Sequence, residues 1–293
     1  MARPKGYAPW SPAPETAAVV RDVLAVLEEY SAHLPLTVRQ IFYRLVGQYG
    51  YEKTERAYSR LAEYLVRARR AHMIPFSHIR DDGTVGSGYY GWDSVEQWVD
   101  SLKDDAAAYQ RDRAYGQPVR LELWCEASGM VPQLQRAARG YPVSVYSTGG
   151  FSSVTVTHEI AVRAAGAGVP TVFMHVGDYD PSGVGIYEAM GADAQQFLWG
   201  MGGDDMALVR VALTEEQVEE YGLPTAPPKS TDSRSRTWYG ETCQAEAMPP
   251  DLLAQVVRSA VEEHMDMEVY QELLSEEEDE RERLVTYMEG FQP

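Results

Sequence analysis

PTVFMHVGDYDPSG, residues 170–183, enters on a proline, runs through a short apolar stretch and ends in two aspartates, Asp178 and Asp180, followed by Pro181 and Gly183. A run of this length between proline and glycine suits a strand buried on both faces, because short apolar runs are more often strands and helices more often run to about 10 or more residues. Two apart at the end of extended chain, Asp178 and Asp180 can face the same side. From Ser182 to about Trp199 the chain has the length and spacing of a helix.

The same strand–helix rhythm extends in both directions. Upstream, VRLELWCE (Val119–Glu126) reads as a strand and SGMVPQLQRAAR (128–139) as a helix; PVSVYS (Pro142–Ser147) and TVTHEIAVRAAGAG (155–168) repeat the pair. Downstream, ALVRVAL (Ala207–Leu213) is a fourth strand. Strands alternating with helices at this spacing predict an α/β fold with a parallel sheet covered on both faces. In such sheets ligands bind beyond the carboxyl ends of the strands. Glu126 stands at one such end, and Asp178 and Asp180 at another. Hard carboxylate oxygens without Cys or His beside them suit Mg²⁺, which keeps several waters and bridges protein carboxylates to phosphate oxygens. The helix beginning near Ser182 adds a dipole end that favours an anion. Each acid alone reads equally well as a helix N-cap or a loop residue, so geometry by itself leaves the function open.

The first half of the chain has a different pattern. Residues 15–30 form an amphipathic helix, and 36–49 a second with Thr37 as N-cap. A third spans about 55–71. At 100° per residue Arg56, Arg60, Arg67 and Arg70 share one sector of it, interrupted by Glu63, while Leu61, Leu65 and Ala68 face the other way. IPFSHIRDDGTVGSGYY (74–90) places strand residues on both sides of a Gly-rich turn. Three helices and a hairpin predict a winged-helix (helix-turn-helix) domain whose third helix enters the DNA major groove. A small helical domain with a solvated charged face is the competing reading. A polar helix over 93–114 joins the halves, and the last 80 residues are acidic and largely helical, with SEEEDERER (275–283) a solvated face or loose tail.

Composition bounds these readings. The chain has 293 residues, 44% hydrophobic and 24% charged, enough for one large or two medium globular domains. Its net charge of −18 opposes phosphate binding, but the charge is uneven. Arg39–Arg80 carries nine Lys/Arg against three Asp/Glu, whereas Leu213–Pro293 carries six against twenty. Screening over about 8–10 Å lets the basic stretch act locally. Two cysteines, Cys125 and Cys243, cannot build a disulfide framework or a four-thiolate zinc site, which points to a reducing, cytoplasmic setting. No apolar stretch reaches the roughly 18 residues of a spanning helix, so no membrane segment is expected. The opening MARPKGYAPWSPAPE lacks the apolar core of a secretory signal.

Two motifs carry a family resemblance. LELWCEASG, with Glu126, and HVGDYDPSG, with Asp178, Asp180, Pro181 and Gly183, resemble the Glu and Asp-x-Asp motifs of the Toprim domain, the metal-binding module of topoisomerases, primases and several nucleases. STGGFSS (Ser147–Ser153) takes the place of that family's glycine-bearing loop. LTVRQIFY (Leu36–Tyr43) resembles the segment that carries the catalytic tyrosine in the A subunit of topoisomerase VI and its meiotic relatives. LTEEQVEEYGLP and QAEAMPPDLL resemble that family's C-terminal segment. The resemblance spans roughly residues 15–263 and is closest to the stand-alone "mini-A" proteins, since the chain is short for an A subunit and has no ATPase segment.

The chain is therefore expected to divide into a flexible Pro-rich arm at 1–14, a winged-helix domain at 15–115 bearing the tyrosine, and a domain at 116–293 that, by the resemblance, is Toprim with an acidic helical segment. The resemblance implies a type IIB topoisomerase A-like, Mg²⁺-dependent transesterification in which Tyr43 attacks a phosphate of double-stranded DNA to give a 5′-phosphotyrosyl break, with Arg39 close to the same site. Glu126, Asp178 and Asp180 would hold the metal, and Arg56, Arg60, Arg67 and Arg70 would meet DNA. A homodimer is implied, because the tyrosine of one protomer meets the metal of the other, and a separate ATPase subunit is a further candidate partner. A phenol with a pKa near 10 needs a cation or base beside it, and Arg39, one turn before Tyr43, can supply the charge. Two alternatives stay open: a Toprim nuclease that hydrolyses DNA with metal-activated water, and a non-catalytic DNA-binding protein. Tyr43 in an apolar helix also reads as a packed core aromatic. Glu122 ranks below Glu126 as a site acid, and Glu246 is an outer-shell acid by resemblance only. GTVGSG (83–88) reads as the wing turn, His158 and His175 have no metal-ligand spacing, and Cys125 reads as a buried strand residue.

Overall fold

The computed structural model describes residues 7–80, 91–149, 154–228 and 238–290. Helix α1 (Pro14–Glu29) buries Val20, Val23, Val26 and Leu27. Thr37 caps α2 (Val38–Tyr49) as expected: its side chain accepts from the Gln40 amide, and the Gln40 side chain accepts from the Thr37 amide at 2.8 Å. Gly50 stops the helix at φ 66, a left-handed conformation that suits glycine. Helix α3 (Glu55–Arg70) starts at the Thr54 cap and turns Ala57, Leu61, Leu65 and Ala68 into the core, which leaves its arginines outward.

The expected hairpin takes a different form where it is described. Strand β1 (Leu36–Thr37) pairs in parallel with β2 (Ile79–Arg80), so the first arm of the hairpin returns to the start of α2. The Gly-rich turn and the second arm lie outside the described residues. Helix α4 (Val95–Ala107) ends seven residues before its expected limit. Beyond it Arg111 and Arg113 turn towards Glu277, which holds the chain away from a helical path.

Four parallel strands, β3 (Arg120–Cys125), β4 (Val143–Ser147), β5 (Thr171–Val176) and β6 (Ala207–Ala212), form one sheet in the order β4–β3–β5–β6. The central pair is buried on both faces, which explains the nearly unbroken apolar run of each. Helices α6 (Val154–Ala165) and α7 (Pro181–Gly200) cover one face through Ile160, Met190, Ala194 and Leu198, packed against Trp124 and Phe173. Helices α5 (Val131–Ala137) and α9 (Pro250–His264) cover the other. That second core continues without a break into α1, α2 and α3, so the two halves read from sequence share one buried interior.

Helices α8 (Glu215–Glu220) and α10 (Met267–Glu289) complete the fold. The acidic run 275–283 is ordered helix within α10, and one of its glutamates is no solvated residue. Glu277 is 1% exposed and accepts from Arg113 at 2.6 and 3.0 Å and from the Arg111 amide at 3.1 Å. Among the described residues, no helix is long and apolar enough to cross a membrane.

Candidate functional site

The strand order reverses between β3 and β5: the chain moves from β3 outward to β4, then returns to lay β5 on the other side of β3. Such a switch point opens a crevice beyond the carboxyl ends of the two strands. Glu126 follows β3 and Asp178 lies just past β5. Both line a cleft of about 590 Å³ together with Arg39, Arg69, Arg80 and Glu246. The cleft therefore holds three carboxylates and three guanidinium groups. Gly149 also lines it, while residues 150–153 of the adjoining glycine-bearing loop lie outside the described residues.

Asp178 is the most perturbed of the acids. Burial, together with the nearby Glu246, Glu126 and Asp180 carboxylates, raises its pKa to about 7, against a partial opposing pull from the Ala245 amide, which donates to its Oδ1 at 2.8 Å. Arg210 braces this turn from below. Its guanidinium donates to the carbonyls of Asp178 at 2.6 Å and Gly177 at 3.0 Å and meets His175 Nδ1 at 2.8 Å. Burial, and secondarily Arg210, hold His175 neutral, with a pKa lowered to about 3. His175 is thus a buried acceptor for arginine, in keeping with its lack of metal-ligand spacing. Gly183 is required by close approach, because a Cβ there would lie 2.4 Å from the Asp178 carbonyl oxygen.

Asp180 lies at the start of α7. It is the N-cap of that helix, with Oδ1 accepting from the Gly183 amide at 2.7 Å, and it does not line the cleft. Pro181 at the first helical position completes a helix start. The donor set of the cleft suits a hard cation in kind. Among the described residues, however, no group of three or more His, Cys, Asp or Glu side chains is gathered tightly enough to hold a metal. Mg²⁺ commonly takes one or two carboxylates and fills its octahedron with water and substrate phosphate. Glu126 and Asp178 fit that requirement as a pair.

A strap over residues 242–247 ties α2 to the Asp178 turn. The strap forms an antiparallel bridge at Cys243, whose backbone exchanges hydrogen bonds with Tyr179 at 2.8 and 2.9 Å. Gln244 accepts from the Tyr43 hydroxyl, Glu246 pairs with Arg39 at 3.5 Å, and Arg44 donates to the Ala247 carbonyl. Arg39 is about half exposed and reaches the cleft, whereas Tyr43 is 6% exposed and lies behind it. Burial pushes the phenol above its ordinary value; Arg39 pulls it down, and Glu246 and Asp178 push it up again. The strap's glutamine left no sequence signal, since it meets Tyr43 across 201 residues of chain.

The other candidates separate cleanly. On α3, Arg56 is exposed, Arg60 pairs with Glu52 at 3.5 Å, Arg67 pairs with Glu63, and the Arg70 carbonyl accepts from the Ala8 amide at 3.0 Å. Glu122 lies on the sheet face opposite α5 and α9, bound by Arg163 at 2.9 Å and Arg120 at 3.3 Å and accepting from the Trp124 indole at 3.1 Å; it plays no part in the cleft. Cys125 and Cys243 are buried thiols, each raised to about 12 mainly by burial. The chain matches no protein-family model, and a search of curated proteins finds no match.

Proposed function

We propose that the cleft cleaves DNA phosphodiester bonds with a divalent cation held between Glu126 and Asp178. The observation that carries this reading is the meeting of Glu126, Asp178 and Glu246 with Arg39, Arg69 and Arg80 at the β3/β5 switch point. Carboxylates alone would repel a phosphodiester, and arginines alone would hold one without acting on it. Bound there, Mg²⁺ would supply Lewis acidity to a phosphate oxygen and neutralise the carboxylates that now repel one another. Arg39 and Arg69 would hold the phosphate by charge-assisted hydrogen bonds, and Arg80 also steadies the loop after β3 through the Gly129 carbonyl. Glu246, 9% exposed and oriented by Arg39, is the carboxylate left to accept the proton of the attacking group.

Water is the attacking group that needs no rearrangement, because the Tyr43 hydroxyl is buried and bonded to Gln244. A hydrolytic Toprim nuclease is accordingly the first reading. The second is transesterification by Tyr43. It is supported by the place of Tyr43 one turn from Arg39, the charge that lowers its phenol pKa against the upward push of burial, Glu246 and Asp178. That reading requires Gln244 to release the hydroxyl, and by family resemblance it needs a homodimer that brings one protomer's tyrosine to the other's acids. The three helices and β2 support a winged-helix role for the first half, with the outward arginines of α3 towards double-stranded DNA. Incubation with supercoiled plasmid and Mg²⁺, followed by denaturation, tests both readings. Free ends, formed equally fast by Tyr43→Phe, are expected for hydrolysis. Protein-linked 5′ ends that vanish in Tyr43→Phe would establish the transesterase, and no Mg²⁺-dependent breaks from either protein would overturn both.

A further inference from the structure

Beside the cleft, at the carboxyl end of α3, lies a group of exposed rings that no core packing explains. The Tyr7 ring stacks on His72 at 4.1 Å between centroids and meets Phe76 edge-on at 6.2 Å. Tyr7 is 66% exposed and Phe76 54%. The Arg69 guanidinium lies 5.4 Å from the Phe76 ring centroid, and the same arginine lines the cleft that holds Glu126 and Asp178. The arrangement is held by backbone. The Ala8 amide donates to the Arg70 carbonyl at 3.0 Å and fastens Tyr7 to the helix end. His72 sits at φ 59, the one non-glycine residue with a left-handed backbone among the described residues. A residue with a Cβ enters that region at a cost, and the turn it makes presents its ring to Tyr7.

Exposed aromatic faces interleaved with arginine are the combination by which proteins hold unpaired nucleotides: the ring stacks on a base, and the cation meets the adjoining phosphate. Interior base pairs of duplex DNA cannot use such a surface, since both of their faces are already stacked. Charge agrees with a nucleic-acid occupant, because Arg67, Arg69 and Arg70 end the same helix in a chain that is otherwise strongly acidic. Resting on the DNA-cleaving role proposed above, we infer that Tyr7, His72 and Phe76 form a stacking platform for an unpaired DNA base. The platform delivers the neighbouring backbone past Arg69 into the cleft. The substrate class is then DNA with a single-stranded stretch, such as a tail, gap or frayed end, in preference to uninterrupted duplex.

Fluorescence anisotropy in EDTA, with labelled duplexes that are blunt or carry an oligo-dT tail, tests this. Wild type should bind the tailed duplex at least about fivefold more tightly, the effect of one stacked base. The variant Phe76→Leu/His72→Gly keeps an apolar side chain and places glycine where φ is positive, so the fold should persist with an unchanged unfolding temperature. In it the difference between tailed and blunt duplex should collapse. A wild type without tail preference, or a folded variant that keeps it, overturns the platform, and an RNA tail bound more tightly than the DNA tail overturns the assignment to DNA. These outcomes are separate from cleavage: a protein that cuts plasmid but ignores tails loses the platform alone, and one that prefers tails but never cuts loses the cleavage reading alone.

Discussion

Asp178 shows how far a single side chain can be read from its place in the sequence. A strand-end acid followed by Tyr-Asp-Pro-Ser-Gly makes Asp178 a candidate, as the end of β3 does Glu126, and both line the cleft. Asp180 carries an N-cap signature besides, an aspartate directly before a proline at a helix start, and it caps α7. What no local pattern carries is the environment of Asp178, which comes from Glu246 and Ala245 far along the chain. That environment has a thermodynamic consequence. With its pKa raised to about 7, the folded protein keeps a proton that the unfolded chain gives up near pH 4. Asp178 therefore favours folding most below its unfolded pKa and loses that advantage as pH rises towards 7. Urea midpoints in EDTA should fall across this window, and Asp178→Asn should flatten the fall. An equal slope in the variant would show that Asp178 is not the group responsible.

Strands and capped helix starts are the most legible elements, because apolar periodicity and caps act locally, whereas helix ends such as that of α4 are not. Thr37 and the apolar face of α3 fall where spacing put them, and the four strands agree within a residue or two. The strap at 242–247 had no such signal, since its bonds to Tyr43, Arg39 and Asp178 are all distant in sequence. The α3 face gives the prediction at this scale. Arg60 and Arg67 are engaged by Glu52 and Glu63, but solvent-screened pairs of this kind add little stability and yield readily to phosphate. Replacing Arg56, Arg60 and Arg67 by alanine should flatten the plot of log affinity against log salt by about 0.9 for each duplex phosphate that these arginines neutralise. An unchanged slope would remove α3 as the docking element.

Across the whole molecule, charge and core tell different stories. A net charge of −18 sets the cleft's three arginines against a strongly acidic chain, and part of the acidity is used internally. Glu277 clamps α10 to the segment after α4, where Arg113 above all holds its carboxyl below the ordinary range. Its contribution is present above the unfolded pKa and disappears as pH falls through the lower folded value. Glu277→Gln should lose about 1–3 kcal/mol near neutral pH, the cost of weakening charged hydrogen bonds to partly solvated arginines, and little in strong acid. Equal denaturant midpoints for the two proteins near neutral pH would refute the clamp. The shared core of the two halves was invisible in the sequence, where the change of rhythm near residue 115 suggested a division. That core fixes α2 against the sheet, and so fixes Arg39 and Glu246 over the Glu126–Asp178 pair. Cleavage of supercoiled plasmid by wild type and by Glu126→Gln/Asp178→Asn, each in Mg²⁺ and in EDTA, is the most direct measurement. Breaks made by wild type in Mg²⁺ alone, and lost at least about 100-fold in the double variant, are expected if the pair holds the cation. Undiminished cutting by the double variant, or by wild type in EDTA, would contradict it.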